Sequence, residues 1–302
     1  MAGGSPGGPY PTDPRERGRG IVMVAASAVL WSTAGLFVRL ATLDTATLVL
    51  WRSLFAAVTL GGLTLARGGP ARMSAVVRSG GAGVLFIGTS VVSSTAYVLS
   101  LRLTTVANVM TVYAALPFIA TGIGFVWIHE RVSRRFLVAG GLATGGIIAS
   151  AVAATGAGDL AGIGAALVMT AGFALQLVAI RRFGRVDVMA LNACAAAACV
   201  PLMAPFAQMT LPSPVQLLSC ACYGALTTGF AYVLALEGGR RVSPGEVGFI
   251  SMLDVVLGPL WVWLAFGERP GALVIAGGAV VLGAVAWYLW TSGADRTPRA
   301  VD

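Results

Sequence analysis

Asp254 lies in Ser243–Arg269 (SPGEVGFISMLDVVLGPLWVWLAFGER), an apolar stretch about as long as a bilayer is thick. Counted from Ser243 at ~1.5 Å per residue, it sits about 17 Å deep. A charge at that depth costs at least ~2.5–3.5 kcal/mol, so it faces protein or a water-filled cavity. Two chemistries fit: contact with a polar solute or a coupling proton, or a hydrogen bond that ties neighbouring helices together. Ser251, Asp254, Gly258 and Trp261 recur at three- and four-residue spacing and share one helical face, which favours the cavity.

Comparable polar and aromatic stripes occur elsewhere. Ser27, Trp31 and Gly35 share a face with Ser32 beside it; Ser90, Ser93, Ser94 and Tyr97 form a second set. Asn108, Thr111 and Tyr113 form a third, Thr170, Phe173 and Gln176 a fourth, and Tyr223, Thr227 and Tyr232 a fifth. A lone Ser or Thr in a membrane helix usually bonds its own backbone. Aromatic, amide and hydroxyl groups on several helices are better explained by a pocket for a small amphipathic molecule. The residues assigned to that pathway are Trp31, Ser32, Tyr97, Asn108, Tyr113, Gln176, Ser251, Asp254 and Trp261. Arg52 lies inside an apolar span, where snorkelling or a structural hydrogen bond is favoured over neutralising a carboxylate on a solute or on Asp254.

The elements that must position these groups are membrane helices. Of 302 residues 57% are apolar and 11% charged, against about a quarter charged in soluble domains. Ten apolar spans of about membrane length run from Gly20 to Thr291, without the alternation of barrel strands. Residues 1–19 are expected to be a flexible tail, with two five-helix halves at 20–155 and 156–291 and a tail at 292–302. With the N-terminus placed inside, sixteen arginines fall on the inner side, three (Arg39, Arg102, Arg269) on the outer, and Arg52 within a span. That bias puts both termini in the cytoplasm.

Thr105–Arg131 and Ser243–Arg269 read as copies offset by 138 positions, with Glu130-Arg131 on Glu268-Arg269 and Pro117 on Val255. Five helices per half, an odd number, make the copies run in opposite directions, as in many transporters whose substrate lies at the midplane. Asp254 is matched by Leu116, so the halves differ in chemistry. Pro117 and Pro259 each remove a mid-helix backbone bond and predict kinks. Gly141 and Gly145 form a small-xxx-small pair suited to close packing, as scaffold or as an oligomer face; the choice between monomer and oligomer stays open.

Other functions lack support. The arginines form no stripe for nucleic acid. The four cysteines have no zinc or haem spacing and read as packing residues, so no metal or cofactor is expected. No ATP-binding motif, paired-His motif, GxSxG elbow or acid cluster marks an enzyme.

The repeat resembles the drug/metabolite transporter superfamily, EamA family, ten-helix branch. The likeness rests on Pro117, Glu130-Arg131 and Gly140-Gly141, then on Asp254-Val255, Gly267-Glu268-Arg269 and Gly277-Gly278, with Gly158-Asp159-Leu160 opening the second half. Val255 stands where the family has proline, and His129 where it has glycine. The resemblance implies an all-α membrane protein of two inverted five-helix repeats. Its central cavity would be lined by the first, third, fourth, sixth, eighth and ninth helices. It also implies export or exchange of small metabolites across a bacterial inner membrane, with bacterial amino-acid exporters, including aromatic ones, the most similar members. A metabolite exchanger or an uptake carrier of the same fold is the alternative.

Overall fold

The computed structural model describes residues 14–129, 134–152, 157–183, 187–208, 210–242 and 244–294. Glu130, Arg131, Ser243 and both tail ends, 1–13 and 295–302, lie outside the described residues. Every element is helical: α1 Pro14–Ser32, α2 Ala34–Ala41, α3 Thr45–Arg78, α4 Gly80–Leu103, α5 Val106–Ala114, α6 Leu116–Ile128, α7 Arg134–Val152, α8 Ala157–Phe183 and α9 Val188–Met203. There follow α10 Pro214–Cys222, a π-helical segment Tyr223–Phe230, α11 Ala231–Gly239, α12 Pro244–Phe266 and α13 Ala272–Ala294. Among the described residues no strand occurs, as expected where only helices and closed barrels satisfy the backbone without water.

Local chemistry sets the helix starts. Asp44 caps α3 by accepting from the Thr47 amide at 3.0 Å, and Asp187 caps α9 through the Ala190 amide at 3.1 Å. Thr105 caps α5, and Ser213 with Gln216 forms a capping box on α10. The first helix begins at Pro14, earlier than the expected start of the span, because Glu16 is fixed by Arg19 and Arg241, and Arg17 by Glu246.

Among the described residues seven helices are long and apolar enough to cross a membrane, or eight if the bent pair α5–α6 counts as one span. Ala272–Tyr288 is a further, shorter apolar helix. Pro117 explains the pair: it cannot donate to the preceding turn, and the chain bends by 41° between Ala114 and Leu116. In the second copy α12 runs unbroken through both Val255 and Pro259.

The two copies also end alike. His129 has φ 54° and Gly267, 138 positions on, has φ 69°, so both stop their helices in the left-handed region that favours glycine. This is why a glycine suits position 129, and why histidine there carries strain.

Helices pair mainly across the two halves. α3 packs on α9, α7 on α13, α5 on α12, α4 on α8, and α1 on α11 and α12. Exchanging the halves maps this pattern onto itself, since α1 with α11 is the counterpart of α8 with α4. Close crossings use small residues: a Cβ on Gly146 would meet the Gly277 carbonyl at 2.5 Å. Gly141 and Gly145, expected to make such a contact, have nothing within 4 Å and face outward, because the turn of α7 that meets α13 is centred on Gly146.

Side-chain bonds define two ends of the bundle. Arg72–Asp187 (2.5 Å), Arg67–Glu237 (3.0 Å), Arg241–Glu16 (3.2 Å) and Arg182 to the Trp127 carbonyl (3.2 Å) gather at one. Arg39–Glu268 (2.9 Å), Thr104–Asp159 (2.7 Å) and Gln216–Thr42 (3.1 Å) gather at the other. The α6 copy finishes at the first end and the α12 copy at the second, so the repeated helices are antiparallel.

Candidate functional site

Between these ends lies a cavity of about 310 Å³, within the range of small-molecule sites. Trp31, Tyr97, Tyr113 and Phe173 supply its aromatic wall; Gln176, Ser90, Asn192 and Thr227 supply neutral polar groups. Tyr113 and Phe173 meet edge to face, with centroids 6.4 Å apart. Arg52 and Asp254 are the only formally charged side chains in the lining among the described residues.

The cavity is polarised along the bundle. Its lining reaches Ile180, Val188 and Tyr232 near the Arg72–Asp187 end but stops at Tyr97, Met110 and Cys199 toward the other. There the structure is sealed in layers. Between α2, α5 and α12, Val106 packs so closely on Gly35 that a Cβ there would meet it at 2.9 Å, and Gly258 lies in ordinary contact with Met110 and Val106. Beside them Trp261 donates its indole N–H to Ser32 Oγ at 2.8 Å. Beyond, Asn108 Nδ2 donates to Thr104 Oγ1 at 2.8 Å, and Thr104 bonds Asp159. Glu268 accepts from Arg39 and from the Val106 amide at 3.0 Å.

Of the nine residues assigned to the pathway, Trp31, Tyr97, Tyr113, Gln176 and Asp254 line this cavity. Ser32, Trp261 and Asn108 belong to the seal, and Ser251 is half-buried on α12 away from the lining. Position on a helical face brought all nine to the interior side, but depth and closure divide them. Sequence reasoning missed Ser53, Ala56, Asn192 and Cys199, which line the cavity from α3 and α9; Arg52 lines it too and makes a structural hydrogen bond to Ser94, one of the two readings favoured for it. The lone amide Asn192, in a span otherwise apolar, was the available signal.

Several lining groups are polar, buried and without a partner among the described residues: Arg52 Nε, Ser90 Oγ, Gln176 Nε2, Tyr223 OH and Asp254 Oδ1. Arg52 is 5% and Asp254 6% exposed. Unpaired buried polar atoms cost about 1–3 kcal/mol each, so their convergence on one cavity makes it the candidate binding site.

The π-helical segment shapes one wall. Its wider turn presents Tyr223, Thr227 and Thr228 together to the cavity. Gly224 permits this, because a Cβ there would run into the Arg52 carbonyl, and Gly229 lies equally close to Thr59. Tyr223 then stacks under the Arg52 guanidinium, 5.0 Å from ring centroid to Cζ.

The profile of the EamA-like transporter family matches residues 18–152 and again residues 156–290. The chain belongs to the EamA-like transporter family. It is therefore a multi-pass membrane protein with two repeats, and the cavity lies where those repeats meet. A solved protein crystal structure superposes on this EamA-like transporter with TM-score 0.67 at 19% identity, covering 92% of this chain and 99% of its own. That likeness shows the fold alone. No curated protein matches the chain.

Proposed function

We propose that this EamA-like transporter is a secondary active carrier that exports amino acids or related small metabolites by alternating access. The observation that carries the reading is the one-sided cavity: mid-bundle, lined by aromatic and polar groups, extending toward one end and packed off in layers from the other. Such a shape binds a solute from one side only, and the antiparallel repeats supply the opposite state by exchanging roles. The arginine bias favours placing the end toward which the cavity extends in the cytoplasm, which supports reading the arrangement as inward-facing and loading from inside. In this reading ten crossings in two inverted five-helix repeats span a bacterial inner membrane, both termini are cytoplasmic, and the bilayer and the solute are the partners needed.

The test is counterflow in proteoliposomes holding the full chain, with labelled amino acids, nucleosides and sugars. Saturable counterflow of an amino acid supports the proposal. No counterflow by any solute overturns carrier function, and net flux only into right-side-out vesicles overturns the export direction.

A further inference from the structure

Arg52 is a buried guanidinium that no carboxylate among the described residues neutralises. Its Nη2 donates to Ser94 Oγ and, at 3.3 Å, to the Ser94 carbonyl. Tyr223 covers one face. Both partners are uncharged, and Nε, buried in a lining residue 5% exposed, has no partner among the described residues. No ion pair joins Arg52 to Asp254 or to another acid among the described residues.

Ser94 and Tyr223 fix the plane of the guanidinium while sparing donors, which pre-organises it for a planar anion. A buried cation held only by neutral groups is expensive unless its counter-charge arrives from elsewhere. Asp254, in the same lining, is in the mirror situation, with Oδ1 buried and unpartnered. A simple acid would satisfy Arg52 and leave Asp254 worse off; a simple amine would do the reverse. A zwitterion satisfies both and leaves the cavity's net charge unchanged.

Building on the transport reading above, we propose that Arg52 is the carboxylate-recognition residue and that the solute is an amphoteric amino carboxylate, with its ammonium group turned toward Asp254. The aromatic wall of Trp31, Tyr97, Tyr113 and Phe173 holds its side chain.

The experiment is counterflow by the full chain in proteoliposomes with the twenty amino acids, the carboxamide of each, and neutral nucleosides and sugars. Wherever an amino acid is carried, its carboxamide is expected to lose about 10–100-fold in apparent affinity, the range for a charge-assisted hydrogen-bond pair. In Arg52→Gln the acid and the amide converge to within a few-fold. Arg52→Lys keeps a preference for the acid at reduced affinity, which a purely structural arginine would not produce. Should Arg52→Gln fail to fold, the acid-to-amide ratio in the unmodified protein decides alone. Equal transport of acids and amides, or counterflow confined to neutral solutes, overturns the assignment of Arg52 while leaving the transporter reading intact. Absence of all counterflow overturns both.

Discussion

Arg39 Nη2 lies 2.9 Å from Glu268 Oε2, and the same carboxylate accepts from the Val106 amide, so one acid clasps α2, α5 and the end of α12 together. Both side chains are mostly shielded, at 28% and 21% exposure, so the pair is not merely a screened surface contact. Glu268→Gln keeps the shape but removes the charge. It is expected to weaken the closed end by about 1–2 kcal/mol, shifting the balance of states roughly five- to thirtyfold. Alkylation of a cysteine introduced at Asn108, in a background lacking the four native thiols, measures it. Unchanged alkylation rates in Glu268→Gln would show that the clasp does not hold the seal.

Asp254 and Ser251 share a helix face but differ in what they meet. Asp254→Asn should lower transport kcat/KM at least about tenfold, the loss of one charge-assisted contact. Ser251→Ala, outside the lining, should remain within about twofold. Equal sensitivity of the two would place the pathway along the whole face instead of within the cavity.

Gly224 brings the π-helical segment against the Arg52 backbone. Gly224→Ala forces the segment outward and is expected to cost about 1–3 kcal/mol, as for other overpacked sites, with reduced Tm in detergent. Gly61→Ala, with nothing within 4 Å of the added methyl, serves as control and should be neutral or slightly stabilising. A Gly224→Ala protein as stable as Gly61→Ala would refute the close approach.

His129 holds a left-handed conformation at the end of α6, with φ 54°. His129→Gly restores the residue found at the equivalent Gly267 and should raise stability by about 1 kcal/mol. Thermal unfolding decides; a lower Tm would mean that the imidazole makes a contact worth more than the strain.

Asp187, at the Arg72 end and outside the spans, is pushed upward by burial. Hydrogen bonds from Arg72 and from the Ala190 amide, with the Arg72 charge, outweigh this and hold its pKa below the ordinary carboxylate value. A depressed folded pKa stabilises above the unfolded value, about 3.9, and that stability is lost as pH falls through the folded pKa. Asp187→Asn should therefore be less stable than the parent at neutral pH, and the gap should close below about pH 4. A gap that persists unchanged in acid would exclude the ion pair as its source.

Much of the architecture was legible because lipid imposes simple rules. The helical class and the two repeats follow from them, and Pro117 breaks its helix as its missing N–H requires. Depth and state were not legible. Trp261 and Asp254 lie on one face at helical spacing, yet the first bonds Ser32 within the seal and the second lines the cavity. Periodicity assigns a direction around the helix axis and carries no information on where facing helices converge. For Arg52 the structural hydrogen bond, one of the two favoured readings, is what the structure holds, but nothing near it in sequence shows that Ser94 and Tyr223 would be its anchors. Gly146, not Gly141 or Gly145, meets α13, since three glycine-rich faces of one helix look alike until a partner chooses among them.

The break between α5 and α6 has no counterpart in α12. A pair of arms with an elbow in only one of them exchanges roles without the two being mirror images. In the proposed cycle, opening the sealed end would flex the Pro117 joint while α12 moves as one helix carrying Asp254. A substitution within residues 114–117 would then change the barrier between the two states, and so scale transport in both directions together.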